Sequence, residues 1–247
     1  MIYYYDNTFD GLMTTIFEIY AAKDNEAMIE PIADSTSITL FSTRNVTTDE
    51  AKSNRVQKGL RSLGREVLEH LYKAWLSREE GIEDLMLSVI RIGFSSGKNP
   101  FQQRTHDAVC KLDSVRAKVS REAERMLQFI RFKKLDDNLY AADIEPEYDV
   151  LELVGDHFHN RFPQSRFIIR NLRHLTAIVA SPSGWHITTL PEDNPPLPKD
   201  GEYENLWRVY FKTIANESRK NLKLQQHFVP LKYRKHLTEF REHHQQT

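Results

Sequence analysis

The residues of this chain best suited to chemistry are cationic, and they fall in two blocks. Lys111, Lys118, Arg121 and Arg125 recur at spacings that keep one face of a helix positive. Toward the C-terminus, Arg208, Lys212, Arg219, Lys220, Lys223, Lys232, Arg234 and Lys235 are opposed by a single acid, Glu217. Trp207, Tyr210, Phe211 and Ile214 run into this second block, and Asn221, Gln225 and Gln226 interleave with it. An aromatic helix anchored to a core and followed by a cationic, amide-rich tail is a common build for a polyanion-binding surface. The same composition also describes an ordinary solvated helix, so both readings stand. The chemistry on offer is phosphate contact, with lysine and arginine neutralising backbone charge and the amides adding polar contacts.

A second constellation is His157, Arg161 and Glu145. His157 and Arg161 are one turn apart beside the apolar positions Val150, Val154 and Phe158, and Glu145 stands just before Pro146. Buried together, the three would form a polar cluster able to bind phosphate or support a reacting group. The plainer reading is a satisfied core histidine and a capping arginine. The remaining histidines, including the terminal His243 and His244, show no metal-ligand spacing, and no metal or other cofactor is expected. Gly93 to Lys98 is too short for a phosphate loop and follows a helix pattern. No G-x-S-x-G occurs, and Cys110 lies in a helical pattern with nothing to mark it as a nucleophile. No recognisable motif demands an enzyme.

The elements that must position these residues follow from periodicity. The 247 residues are 40% hydrophobic and 28% charged, the profile of a globular protein. The single cysteine excludes an internal disulfide framework and a thiolate zinc site. With no membrane-length apolar run and no basic leader, the expected location is the cytoplasm. Residues 1–50 hold nine acids and two bases, whereas residues 111–134 hold eight bases and three acids. Charge is therefore segregated, although the total is only −1.

Ile2–Tyr5 reads as a strand, Phe9–Tyr20 as an amphipathic helix and Ile38–Phe41 as a second strand. A helix is expected from Thr47-Thr48-Asp49-Glu50 to Trp75, bent near Gly59 or Gly64, and another over Ile82–Ser95. Asn99-Pro100 is the predicted start of a third, running to Gln128. From residue 127 the period changes. Phe129–Lys134 and Leu139–Glu145 form a predicted hairpin, with Asp149 capping a helix over Val150–Phe162. Three strands follow at Phe167–Asn171, Leu175–Ala180 and Trp185–Leu190. A proline-rich loop leads to a helix over Tyr203–Ala215, then to short helices broken at Pro230. The fold class is α+β: a mostly helical region 1–126, then an antiparallel sheet of about five strands with packed helices in 127–247. The two regions can equally form one continuous domain.

Four separated stretches, Ser120–Phe132, Tyr140–Asp149, Leu151–Phe162 and Leu206–Tyr233, together resemble a bacterial domain-of-unknown-function family. The opening Tyr3-Tyr4-Tyr5-Asp6 and Phe9-Asp10-Gly11-Leu12 resembles the family's start. In the second half Arg131, Phe132, Glu145, Pro146, His157, Phe158, Arg161, Trp207, Arg219, Asn221, Lys223, Gln225 and Tyr233 match its pattern. Free-standing members are labelled DNA-metabolism or DNA-repair proteins. Their genes commonly neighbour a DNA-modification radical SAM enzyme, and a related domain is fused behind uracil-DNA-glycosylase-like modules. The resemblance implies a pathway rather than a reaction.

It implies an accessory protein that binds DNA and works with a radical SAM enzyme or a uracil-DNA-glycosylase-like partner. Lys111, Lys118, Arg121, Arg125, Arg219, Lys220, Lys223 and Lys232 would then hold phosphates, and Asn221 and Gln225 would add polar contacts. Two other readings remain open. One is a DNA-processing enzyme using His157, Arg161 and Glu145. The other is a protein-interaction module whose acidic front half docks a basic partner.

Overall fold

Two units make up the chain, Met1–Ser120 and Arg121–Thr247, in a computed structural model that describes residues 1–32, 42–191, 193, 195–198, 200–215 and 221–240. The division falls inside the long basic helix, slightly ahead of the change of period at residue 127.

The first unit begins with strand β1 (Ile2–Tyr5), helix α1 (Phe9–Ala22) and strands β2 (Met28–Pro31) and β3 (Thr43–Asn45). β1 lies between β2 and β3 and is parallel to both. β1 is the strand expected at Ile2–Tyr5, whereas its partners β2 and β3 and their parallel pairing are absent from the sequence expectation. The expected strand at 38–41 lies outside the described residues. The Asp6-to-Gly11 motif has a local reason: the Asp6 carboxylate accepts hydrogen bonds from Thr8 and Thr48. A Cβ on Gly11 would fall 2.0 Å from Asp6 Oδ1.

Helices α2 (Glu50–Leu63), α3 (Val67–Trp75) and α4 (Ile82–Ser96) follow. Asp49 caps α2 by accepting from Lys52 N, and Gly64 separates α2 from α3 near the anticipated bend. Buried Tyr5 ties β1 to α3 and α4: its hydroxyl donates to Glu83 at 2.8 Å and accepts from Trp75 Nε1 at 3.2 Å. The Asn99-Pro100 signal marks a different element from the one expected. Asn99 caps only a 3-10 turn over Pro100–Gln102, and helix α5 starts at Asp107 and ends at Phe129. Phe101 turns inward, 7% exposed and edge-on to His70, which takes the chain off the helical path.

The second unit contains β4 (Lys133–Asp136), β5 (Leu139–Ile144), α6 (Leu151–Arg161), β6 (Arg166–Asn171), β7 (Thr176–Ser181) and β8 (Gly184–Thr189). The five strands stand in chain order, and the sheet is mostly antiparallel. One pair departs from the expectation: β5 and β6 are parallel, joined across α6 as a β-α-β unit. The hairpin turns at Asn138, whose φ of 59° is the left-handed geometry that asparagine tolerates. Its first strand starts later than expected. The Arg131 guanidinium folds back to donate to the carbonyl of Gln128 at 2.6 Å, satisfying the end of α5.

Register puts Tyr140, Phe167, Ala180 and Trp185 on one face of the sheet, with Ala142, Ile169, Ile178 and Ile187 in the next row. α6 buries Leu151, Val154, Gly155 and Phe158. Gly155 is required here, since a Cβ would meet the Trp185 ring at 2.6–2.7 Å. Val150, not Asp149, is the residue before α6, and no side chain caps it. The opposite face carries Arg170, 8% exposed, which grips Asp143 through two bonds of 2.6 and 2.9 Å. Arg170 also donates to the Pro195 carbonyl at 2.7 Å, pinning the proline-rich loop. Helices α7 (Glu202–Ile214), α8 (Leu222–Phe228) and α9 (Leu231–Arg234) complete the unit with a 3-10 turn at Thr238–Phe240.

Candidate nucleic-acid interface

α7 does not anchor to a core as its aromatics suggest. It buries no residue: Tyr203 is 78% exposed, Trp207 42% and Tyr210 54%, with Leu206, Val209 and Ile214 also out. One edge alone is held. Trp207 Nε1 donates to Glu239 at 3.2 Å, Arg208 donates to the Thr238 carbonyl and to Asp200, and Phe211 lies near Phe240. The Trp207 and Tyr210 rings sit side by side, 5.8 Å apart and tilted by 35°.

The cations sort into two groups that sequence alone does not separate. Lys232 donates to Glu147 at 2.7 Å and lies 3.5 Å from Glu122. Lys235 pairs with Glu145 at 2.5 Å, and Arg208 with Asp200. Arg234 stacks over Phe240 and donates to the Val229 carbonyl. Lys212 and Lys223 are exposed and make no ion pair among the described residues. Arg219 and Lys220 lie outside the described residues. Asn221 is a structural cap, its Oδ1 accepting from Leu224 N at 3.0 Å. Gln225 is half-buried.

Glu122, 2% exposed, is the centre of the first group. Its carboxylate accepts from the backbone N–H of Glu147 at 2.9 Å and of Tyr148 at 2.7 Å, and from the Tyr233 hydroxyl at 2.6 Å. A buried carboxylate with three donors and a nearby ammonium is satisfied where an isolated one would be prohibitive. Partial burial works against the charge on Lys232, but Glu147, Tyr233 and Glu122 outweigh it and hold the ammonium above its usual pKa. Lys232 is therefore paired within the fold, although about half of its side chain stays exposed.

On α5, Lys111 and Arg121 are exposed and Arg125 is half-buried. Lys118 stands 3.6 Å from Glu79 with both side chains well exposed, an ion pair that solvent largely screens. Part of the acidic front half is also occupied. Asp10 accepts from Ser53 and Gln57, Glu18 from Arg44 and Lys52, and Asp49 caps α2.

The buried cluster expected from His157, Arg161 and Glu145 does not form. His157 and Arg161 are exposed, and Glu145 is taken by Lys235, with His236 Nε2 at 3.4 Å. Burial raises the Glu145 pKa, but Lys235 and His236 outweigh it and the net direction is down. The helical wheel explains the outcome. With the stripe Leu151–Val154–Gly155–Phe158 facing inward, His157 and Arg161 lie about 110° and 70° off its centre.

What the sequence reading missed is an aromatic pocket at the end of α6. Phe132, Tyr140, Phe162, Ser165 and Phe167 line a cavity of about 250 Å³. Phe132 is its hub, with ring centroids 5.4 Å from Phe158, 5.7 Å from Phe162 and 5.5 Å from Phe167. The i, i+4 pair Phe158 and Phe162 was a visible signal; the pairing of Tyr140 with Phe167 across the parallel strands was not. Among the described residues no cluster of histidine, cysteine or carboxylate groups is placed to hold a metal ion, and no helix is long and apolar enough to cross a membrane.

The model of one protein family matches residues 80–239, which takes in the last helix of the first unit and nearly all of the second. The chain belongs to the family described as Domain of unknown function (DUF4130). The match holds three features of this DUF4130 member: the basic face of α5, the Glu122 network and the exposed α7–α8 segment. The Tyr3–Leu12 motif lies before the matched residues. No curated protein matches the chain.

Proposed function

We propose that this DUF4130 member is an accessory protein of DNA metabolism that binds single-stranded nucleic acid through α7 and α8. The observation that carries the reading is the exposure of Trp207 and Tyr210 as adjacent rings, with the exposed cations Lys212 and Lys223 following them. Exposed aromatics offer stacking faces to unpaired bases, and nearby cations track the phosphates. Lys111, Arg121 and Arg125 on α5, and Arg219 and Lys220 in the sequence, add to the positive charge. The resemblance of the motifs to DNA-metabolism proteins supports the same pathway. It also supports cytoplasmic work beside a radical SAM enzyme or a uracil-DNA-glycosylase-like protein.

The test is fluorescence anisotropy with a labelled single-stranded oligonucleotide and the full chain, between about 50 and 200 mM salt. Affinity should fall steeply across that range. Trp207→Ala should weaken binding about 5- to 150-fold, the effect of losing roughly 1–3 kcal/mol of stacking. Flat salt dependence, or an unaffected Trp207→Ala variant, would overturn the reading.

A second reading has its own observation. Leu206, Val209, Ile214, Leu222 and Leu224 are each more than half exposed, and aliphatic groups do not stack on bases. Exposed apolar surface of this kind marks protein contacts. In this reading the same segment docks the partner enzyme. Leu206→Asp should then abolish co-purification of that enzyme while leaving oligonucleotide affinity within about twofold.

A further inference from the structure

The aromatic pocket at the end of α6 has the make-up of a ligand site. Four of its five lining residues are aromatic, and about 250 Å³ is less than the roughly 300–1,000 Å³ of sites for larger organic ligands. That space suits a single planar ring system. Two of the lining residues carry a polar group, the Tyr140 hydroxyl and Ser165 Oγ, and neither group makes a hydrogen bond among the described residues. Each can donate and accept, which suits the mixed edge of a heterocycle better than a hydrocarbon.

Charge narrows the choice. The Arg161 guanidinium lies 5.8 Å from the Phe162 ring centroid and is exposed at that wall. Lys134 is in register with Tyr140 and so projects from the same face of the sheet, but its ammonium is paired with Asp137 at 2.8 Å. An anionic substituent on the ring would meet Arg161 first, with its planar fork of donors.

We propose that this pocket binds one unstacked nucleobase, clasped among Phe132, Phe162, Phe167 and Tyr140, with its phosphate held by Arg161. The choice of a nucleobase among planar heterocycles rests on the nucleic-acid reading given above; the pocket and its charge do not. The base can come from a free nucleotide or from a strand whose remainder lies elsewhere, and the two sources share this chemistry. Arg161 thereby gains a binding role, outside the acid–base cluster suggested by its spacing from His157.

Calorimetric titration of the intact chain with dTMP and dAMP, with their nucleosides, and with an oligothymidine tests the assignment. Mononucleotides should bind, and Phe162→Ala should weaken them about tenfold or more. Ser165→Leu keeps every aromatic wall and fills the cavity, so it should do the same even if Phe162→Ala destabilises the fold. Arg161→Ala should weaken nucleotides about fivefold and leave nucleosides within about twofold. A strand weakened by Phe162→Ala assigns the base to a strand; an unaffected strand with intact mononucleotide affinity assigns it to a free nucleotide. Absence of binding by every mononucleotide and nucleoside at about millimolar concentration would overturn the proposal, as would wild-type affinity in Ser165→Leu. If the oligothymidine still binds with steep salt dependence in that case, the pocket alone is refuted and the α7–α8 reading stands. If it does not, both fall.

Discussion

Replacing Glu122 by glutamine should unfold the second unit at markedly lower denaturant while changing the molecule by only one heavy atom. Glu122 is 2% exposed, and its carboxylate receives the backbone N–H groups of Glu147 and Tyr148 and the hydroxyl of Tyr233. An amide presents one accepting oxygen, so its NH₂ must face a donor that the carboxylate had satisfied. At least one charge-assisted bond is lost, about 1.5–3 kcal/mol, and a buried donor is left without a partner, about 1–3 kcal/mol. The Lys232 ammonium, 3.5 Å away, also loses a counter-charge. The expected loss is about 3–5 kcal/mol, most of it from the lost bond and the stranded donor, since Lys232 is half exposed. Urea unfolding followed by circular dichroism would read this as a lower midpoint with an unchanged slope. Tyr233→Phe removes one bond and should lose about 1–2 kcal/mol; in the Glu122→Gln background its effect should shrink. A Glu122→Gln protein within about 0.5 kcal/mol of the parent would refute the view that this carboxylate holds α5, the Glu145–Tyr148 segment and α9 together.

Lys223→Ala should lower the salt slope of oligonucleotide binding by about 0.7, whereas Lys232→Ala should leave the slope unchanged and lower stability, because its charge is already neutralised by Glu147. Gly155→Ala should destabilise by about 1–2 kcal/mol in thermal unfolding despite alanine's better helix propensity, since the new Cβ would meet the Trp185 ring at 2.6–2.7 Å. Burial raises the Glu239 pKa, but Arg131 and Trp207 outweigh it and the folded-state value is lowered. Its stabilising contribution is therefore present above the ordinary glutamate pKa of about 4.3 and is lost as pH falls through the lower folded value. Arg131→Ala should flatten the pH dependence of stability in that acid range; an unchanged acid limb would refute the assignment.

Local order was legible in the chain wherever one residue type fixes one conformation. Gly97 ends α4 in left-handed geometry and Asn138 turns the β4–β5 hairpin, and α2 starts within Thr47–Glu50, although Asp49 and not a threonine hydroxyl caps it. Period-2 patterns located β5 to β8, and the structure buries Phe167 and Ile169 on one face of that sheet. Signals that depend on a distant neighbour misled. Asn99-Pro100 has the chemistry of a helix start, yet Phe101 finds His70 and the helix begins later, at Asp107. The parallel pairing of β5 with β6 leaves no local mark either, because strand direction is set by how α6 returns the chain.

The same distinction governs the candidate interface. The sequence by itself determined that positive charge collects in α5 and the C-terminal segment, since charge along a chain is a matter of composition. Only the tertiary structure decided which cations remain available. Lys232 meets Glu122 from 110 positions away and Lys235 meets Glu145 from 90, so both are paired within the fold, while Lys212 and Lys223 make no ion pair among the described residues. Composition likewise made α7 aromatic, and only packing left Trp207 and Tyr210 in solvent. Neutralisation and burial are properties of neighbours in space, and those neighbours are brought together from across the chain by the fold.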